Sequence, residues 1–185
     1  MDDTQIVELY WARKESAIEE TEAKYGSYCY SIAQNILQNQ DDAEESVNDT
    51  WLNAWNSMPP HRPSVLSTFL GKLTRRISID KWRRTTAKKR GNGQLPLVLD
   101  ELEDCVSDGK SIEEETERKL LAEVIAAFVK SLPETEQKVF LCRYWYMDSV
   151  STIATRFRFS ESKIKSMLSR TREKLRVRLE KEGLV

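Results

Sequence analysis

Residues Ser149–Arg172 read SVSTIATRFRFSESKIKSMLSRTR, and this stretch decides the fold. Val150, Ile153, Ala154 and Phe157 are spaced for one face of a short helix, and the Ser149 hydroxyl before them suits an N-cap. Arg158-Phe159-Ser160 then breaks the period as a tight turn. A second helix starts at Glu161 and runs past Leu179, with Ile164, Leu168, Leu175 and Leu179 on its inner face. Short helix, three-residue turn and longer helix, with apolar Ile153, Ala154, Phe159, Ile164 and Leu168, match a helix-turn-helix in which small Ala154 lets the helices approach. The outward positions of the second helix are Ser162, Lys163, Lys165, Ser166, Ser169, Arg170 and Arg172. Long cations reach phosphates or guanine edges, and serines leave room and hydrogen-bond, so these residue types suit a DNA major groove.

Upstream, Pro133 suits a first helical turn, followed by Val139, Phe140 and Tyr144 facing inward. Ser111 with Glu114 has the form of a capping box, and Leu121, Val124, Ile125 and Phe128 supply a buried face up to Leu132. The helix-turn-helix domain therefore spans 112–185. Gly91-Asn92-Gly93, Pro96 and the acidic stretch Asp100 to Gly109 mark a flexible acidic linker over 91–111. Leu95, Leu97, Val98, Leu99 and Leu102 are too apolar for an inert spacer, so part of it is expected to lie on a partner or on a domain.

The first half, 1–90, is a second helical domain. Ile6, Leu9, Ala17 and Ile18 predict one or two short surface helices. After Gly26, the set Tyr28, Cys29, Ile32, Ala33, Ile36 and Leu37 predicts a helix that ends at an Asn39-Gln40 turn. Asp41 with Glu44 resembles a capping box, and Ala43, Val47, Thr50, Trp51, Ala54 and Met58 form the next stripe, closed by Pro59-Pro60. From about Ser64, Leu66, Phe69, Leu70, Leu73 and Ile77 predict a long helix towards Arg84. Its other face carries Lys72, Arg75, Arg76, Lys81, Arg83 and Arg84, with Asp80 able to pair at four-residue spacing. The fold class is all-α, two small helical domains.

The formal charge of −1 hides a strong pattern along the 185 residues. Residues 1–61 hold three Lys/Arg against twelve Asp/Glu, and 62–95 hold ten against one. Residues 96–136 hold four against twelve, and 137–185 hold twelve against five. Two basic islands alternate with two acidic ones, so two separate nucleic-acid contacts are the functional expectation. No apolar run spans a bilayer, and Met1-Asp2-Asp3-Thr4 is acidic where a secretory signal is basic, which predicts a cytoplasmic protein. Cys29, Cys105 and Cys142 are odd in number and remote from His61, the single histidine, which supports neither a disulfide frame nor a metal site. No nucleophile–base pair or Gly-rich phosphate loop is visible, so neither an enzyme nor a cofactor is expected.

Three linked motifs resemble the extracytoplasmic-function (ECF) group of bacterial sigma factors over about 25–90 and 120–180. The run Asp41 to Trp55 is similar to the family helix that docks on the polymerase clamp. Phe69 to Arg84 resembles the helix that recognises and melts the minus-ten element, and Leu132-Pro133 to Ser166 the domain that reads the minus-thirty-five element. Three such motifs in order across a linker are specific where one alone is weak.

The resemblance implies roles. Asp42, Glu45, Asn48, Asp49 and Leu52 would face core RNA polymerase, its beta-prime and beta subunits being the partners, while Val47 and Trp51 are core. Lys72, Arg75, Arg76, Arg83 and Arg84 would hold phosphates of promoter DNA at the minus-ten element. Phe69, where the family often has Trp, and Arg76, where it often has Asn, share that surface. Lys165, Ser166, Ser169 and Arg170 align with minus-thirty-five contacts, with Ser162 beside them and Lys163 and Arg172 on phosphates. Met167 replaces a common Arg, and Arg158 replaces the usual turn Gly, which puts a non-Gly residue at positive φ. An anti-sigma protein is a frequent further partner in the resembled group. The competing reading is a stand-alone helix-turn-helix regulator, which would bind DNA without polymerase.

Overall fold

A computed structural model of the chain describes residues 1–86, 98, 101–102 and 115–184. Every described element is a helix, as the periodicity predicts. The chain divides into two compact units, Met1–Gly93 and Gln94–Val185. The Gly91-Asn92-Gly93 turn, Pro96, Leu95, Leu97, Leu99, Cys105 and the Ser111/Glu114 capping box lie outside the described residues.

In the first unit α1 (Asp3–Trp11) opens on a full capping box, Asp2 Oδ1 accepting from Gln5 N–H at 2.8 Å and Asp2 N–H donating to Gln5 Oε1 at 3.1 Å. The second helix, α2 (Ser16–Leu37), is continuous through Gly26, so one long helix stands where the sequence suggests a fresh start after that glycine. Its end is Gln38 in the left-handed region at φ 54°. Asn39 then caps α3 (Gln40–Ser57) by accepting from Asp42 N–H at 2.9 Å, two residues before the predicted start at Asp41. A fourth helix, α4 (Leu66–Thr86), completes the unit.

The core between α1, α2, α3 and α4 gathers Ile6, Tyr10, Cys29, Ala33, Val47, Trp51, Met58, Leu66 and Leu70. Through it runs a buried hydroxyl seam of which periodicity reveals only Thr50. Thr50 donates to Ser46 O at 2.7 Å and lies 3.2 Å from Thr74 Oγ1, which itself donates to Leu70 O. Each hydroxyl returns its proton to its own helix, so short side chains bring α3 and α4 close with no stranded donor among these two.

In the second unit α5 (Glu115–Ser131) buries Val124 and Phe128. Leu132 is also buried, and Pro133 stands at the N-cap of α6 (Glu134–Tyr144), which buries Val139, Phe140 and Tyr144 as predicted. Ser149 caps α7 (Val150–Phe157) by accepting from Thr152 N–H at 3.1 Å. Ser160 does the same for α8 (Glu161–Lys181), accepting from Lys163 N–H at 3.2 Å. Val98, Glu101 and Leu102 belong to this unit, which starts at Gln94 and so includes part of the stretch read as linker. Val98 is fully buried.

Candidate nucleic-acid interface

The turn between α7 and α8 shapes the first candidate surface. Phe159 N–H donates to Ala154 O at 3.0 Å and Arg158 N–H to Thr155 O at 3.3 Å, the paired bonds of a Schellman ending. Arg158 occupies its left-handed position at φ 55°, ψ 42°, the conformation expected where a glycine is usual. Ile153, Ala154, Ile164 and Leu168 are buried between the two helices, which fixes the rotation of α8. Ser162, Lys163, Lys165, Ser166, Ser169 and Arg170 are consequently all exposed. Met167, at the position of a common family Arg, is buried and faces the core. Lys163 lies over the Phe159 ring, Nζ 3.5 Å from its centroid, so this cation is parked at the turn.

Arg172 stands apart from that set. It is half-buried and directs Nη1 to Tyr144 Oη at 2.9 Å and to Glu101 Oε2 at 3.4 Å. Glu101 is also held by Arg143, whose Nη2 lies 2.6 Å from Oε1, and by Tyr144 Oη at 2.9 Å. Burial works against the Glu101 charge, but the Arg143 hydrogen bonds and charge outweigh it, helped by Tyr144 and Arg172, so its pKa lies below the ordinary value. Periodicity missed Glu101. The signal was Val98 and Leu102, apolar residues one helical turn apart with Asp100 and Glu101 between them.

The second surface is on α4. Lys72, Arg76 and Arg83, at helical intervals, are exposed and form one outer stripe, and Arg84 is exposed beside them. Asp80, exposed on the same face, forms no ion pair among the described residues. Phe69 is half-buried against the core; Arg75 is also half-buried, and burial lowers the pKa of its guanidinium.

A third surface runs along α3, where Asp42, Glu45, Asn48, Asp49 and Leu52 share one outer face and Leu52 is 56% exposed. Val47 and Trp51 are core, as expected. Lys81 of α4 reaches into the acidic end of this face, Nζ lying 3.1 Å from Asp42 Oδ1 and 2.6 Å from Glu45 Oε2. Burial opposes the Lys81 ammonium, but its hydrogen bonds to Glu45 and Asp42 prevail and raise its pKa above the usual lysine value. Cys29 and Cys142 are buried free thiols, and no cluster of metal-ligating side chains occurs among the described residues.

Two cationic helix faces and one acidic face thus occupy the segments that the sequence motifs mark. The family model for ECF sigma factor matches residues 61–181. The chain belongs to the ECF sigma factor family. A model for Sigma-70 region 2 also matches residues 23–88, which covers α3 and α4 of this sigma factor. None of the curated proteins compared matches the chain. As a sigma factor it acts in transcription initiation, with RNA polymerase core and promoter DNA the partners that membership implies. No helix among the described residues is long and apolar enough to cross a membrane.

Proposed function

We propose that this sigma factor is a non-enzymatic cytoplasmic subunit that joins core RNA polymerase through α3 and reads two promoter elements, one with each unit. The observation that carries this reading is the pair of exposed cationic stripes, Lys72, Arg76 and Arg83 on α4 and Lys165 and Arg170 on α8. Lys72, Arg76, Arg83 and Arg84 hold phosphates at the minus-ten element while the strands part, and Arg75 and Phe69 line the edge of that surface. Lys165, Ser166, Ser169 and Arg170 enter the major groove of the minus-thirty-five element, flanked by Ser162 and Lys163. Arg172 supports α8 through Tyr144 and Glu101 and serves phosphate only if that contact is exchanged. Glu45, Asn48, Asp49 and Leu52, with Asp42, meet the clamp of the beta-prime subunit, acids toward a basic surface and Leu52 in apolar contact.

The test is in vitro transcription with purified core polymerase on a promoter library. Start sites are expected that depend on this protein, and Lys165→Ala or Arg170→Ala is expected to cost roughly tenfold at preferred upstream elements, a loss of about 1–3 kcal/mol per base contact. Unchanged promoter choice in both variants would remove α8 as the reading helix. Tight DNA binding by the free chain, with no dependence on polymerase, would favour a stand-alone regulator.

A further inference from the structure

Lys163 stands third in α8 on its exposed side, yet its ammonium turns back along the helix. Its Nζ lies 3.5 Å from the centroid of the Phe159 ring, four residues earlier in the turn. A helical side chain leans toward the N-terminus of its own helix, so a ring at that spacing is within a lysine's reach. The ring is itself backed. Phe157 stacks against it with centroids 6.4 Å apart and planes 25° from parallel, and both rings are half-buried. Phe159 and Ile164 also flank the Ser160 cap at the positions of a hydrophobic staple. Leucine would serve that staple equally well, so what an aromatic alone adds here is the negative ring face beneath the ammonium.

We propose that Phe159 is a positioning residue for the minus-thirty-five contact: it clamps Lys163 at the rim of the groove, on a backbone phosphate, and keeps it off the base edges. The inference rests on the reading of α8 proposed above. A base-edge contact needs a side chain that projects from the helix into a groove about 8.5 Å deep. A lysine laid along the helix axis over Phe159 spends its length before that depth is reached, and the rim is lined by phosphates. Lys163 then adds affinity without reading sequence. The bases beneath the first two turns are left to Ser166, with Ser162 beside it, both short and exposed. Without the ring the ammonium is free to swing outward, and a lysine in a major groove favours guanine, whose O6 and N7 both accept. A cation over a ring at a solvent-exposed site is favoured roughly two- to fivefold. The ring therefore sets a bias that selection among promoters reads as base preference.

Two measurements on the full-length chain test the clamp. In the free protein the ε-methylene protons of Lys163 are expected upfield of those of other lysines, shielded by the ring. That shift is expected to be lost in Phe159→Leu and kept in Phe159→Tyr. Should Phe159→Leu unfold the second unit, Phe159→Met, which also lacks a ring, takes its place. An unshifted Lys163 in the wild type would overturn the clamp. In the second arm each variant joins core polymerase and selects among promoters randomised at the minus-thirty-five element. Lys163→Met is expected to weaken binding about two- to fivefold on every sequence and to lower the salt slope by about one. Phe159→Leu is expected to gain a roughly two- to fivefold preference for guanine at one position, and the double variant with Lys163→Met to lose it again. A wild-type base preference in Phe159→Leu, or a preference at one position that Lys163→Met alone removes, would overturn the separation of Lys163 from the bases. Should Lys165→Ala and Arg170→Ala both leave promoter choice unchanged, the reading of α8 fails and this second arm with it, while the proton shifts still decide whether Phe159 holds Lys163.

Discussion

Arg158 holds a backbone conformation that costs an L-residue about 1 kcal/mol or more, at the turn that aims α8. Glycine would relieve that cost, offset in part by the greater freedom of the unfolded chain. Arg158→Gly is expected to stabilise the second unit by about 0.5–1 kcal/mol, raising its melting temperature by a few degrees in a calorimetric scan. Gly26 presents the reverse case. It sits inside α2 with no positive φ, and an added Cβ would meet only Glu22 Cγ at an ordinary 3.7 Å. Gly26→Ala is expected to stabilise the first unit by about 0.5–1 kcal/mol, measured by urea unfolding of the full chain. Both positions also show what the sequence reveals. The turn at Arg158 was legible because two capped apolar periods abut there with no other room for a break. The glycine misled, because a lone Gly lowers helix propensity by less than the packing of Ala17, Thr21, Cys29 and Ile32 on one face restores.

At the scale of elements, α6 and α8 are joined through an acid that neither helix contains. Glu101 has its pKa lowered by Arg143, Tyr144 and Arg172 against the cost of burial. A carboxylate lowered on folding contributes stability that is complete above its unfolded value, near 4.5, and is lost as pH falls through the folded value. The second unit is therefore expected to melt at a lower temperature at pH 3.5 than at pH 6, and Glu101→Gln to flatten that part of the profile. An equal pH dependence in the variant would mean that other carboxylates set it. The helices themselves were legible from apolar spacing and from caps at Ser149 and Ser160. The acid bridge was not, because periodicity reports which face is buried and carries no information on which distant charge neutralises Arg143. Of the hydroxyl seam, Thr50 stood on the predicted buried stripe, but Ser46 and Thr74 escaped for a related reason, since hydroxyls that bond their own backbone look polar in sequence yet pack as small apolar groups.

For the whole molecule, the alternating charge blocks foretold two cationic surfaces, and exposed cations on α4 and α8 occupy those blocks. The boundary between units was less legible, because an acidic, Gly- and Pro-containing stretch looks like spacer while Val98 and Glu101 dock on the second unit. A fragment comprising 94–185 is expected to be more stable than one comprising 112–185 by roughly 1–3 kcal/mol in paired thermal melts, because the shorter one lacks buried Val98 and the Glu101 carboxylate that Arg143 and Tyr144 hold. Equal melting temperatures would show that Arg143 finds other compensation.

Lys81 gives the α3 surface a property that its count of acids conceals. Because an ammonium already rests between Asp42 and Glu45, an arriving basic group displaces a resident cation instead of shedding mobile counterions. In the proposed docking on α3 an incoming basic group competes with Lys81 for Asp42 and Glu45, so its affinity is expected to fall less steeply with ionic strength than the count of acids suggests.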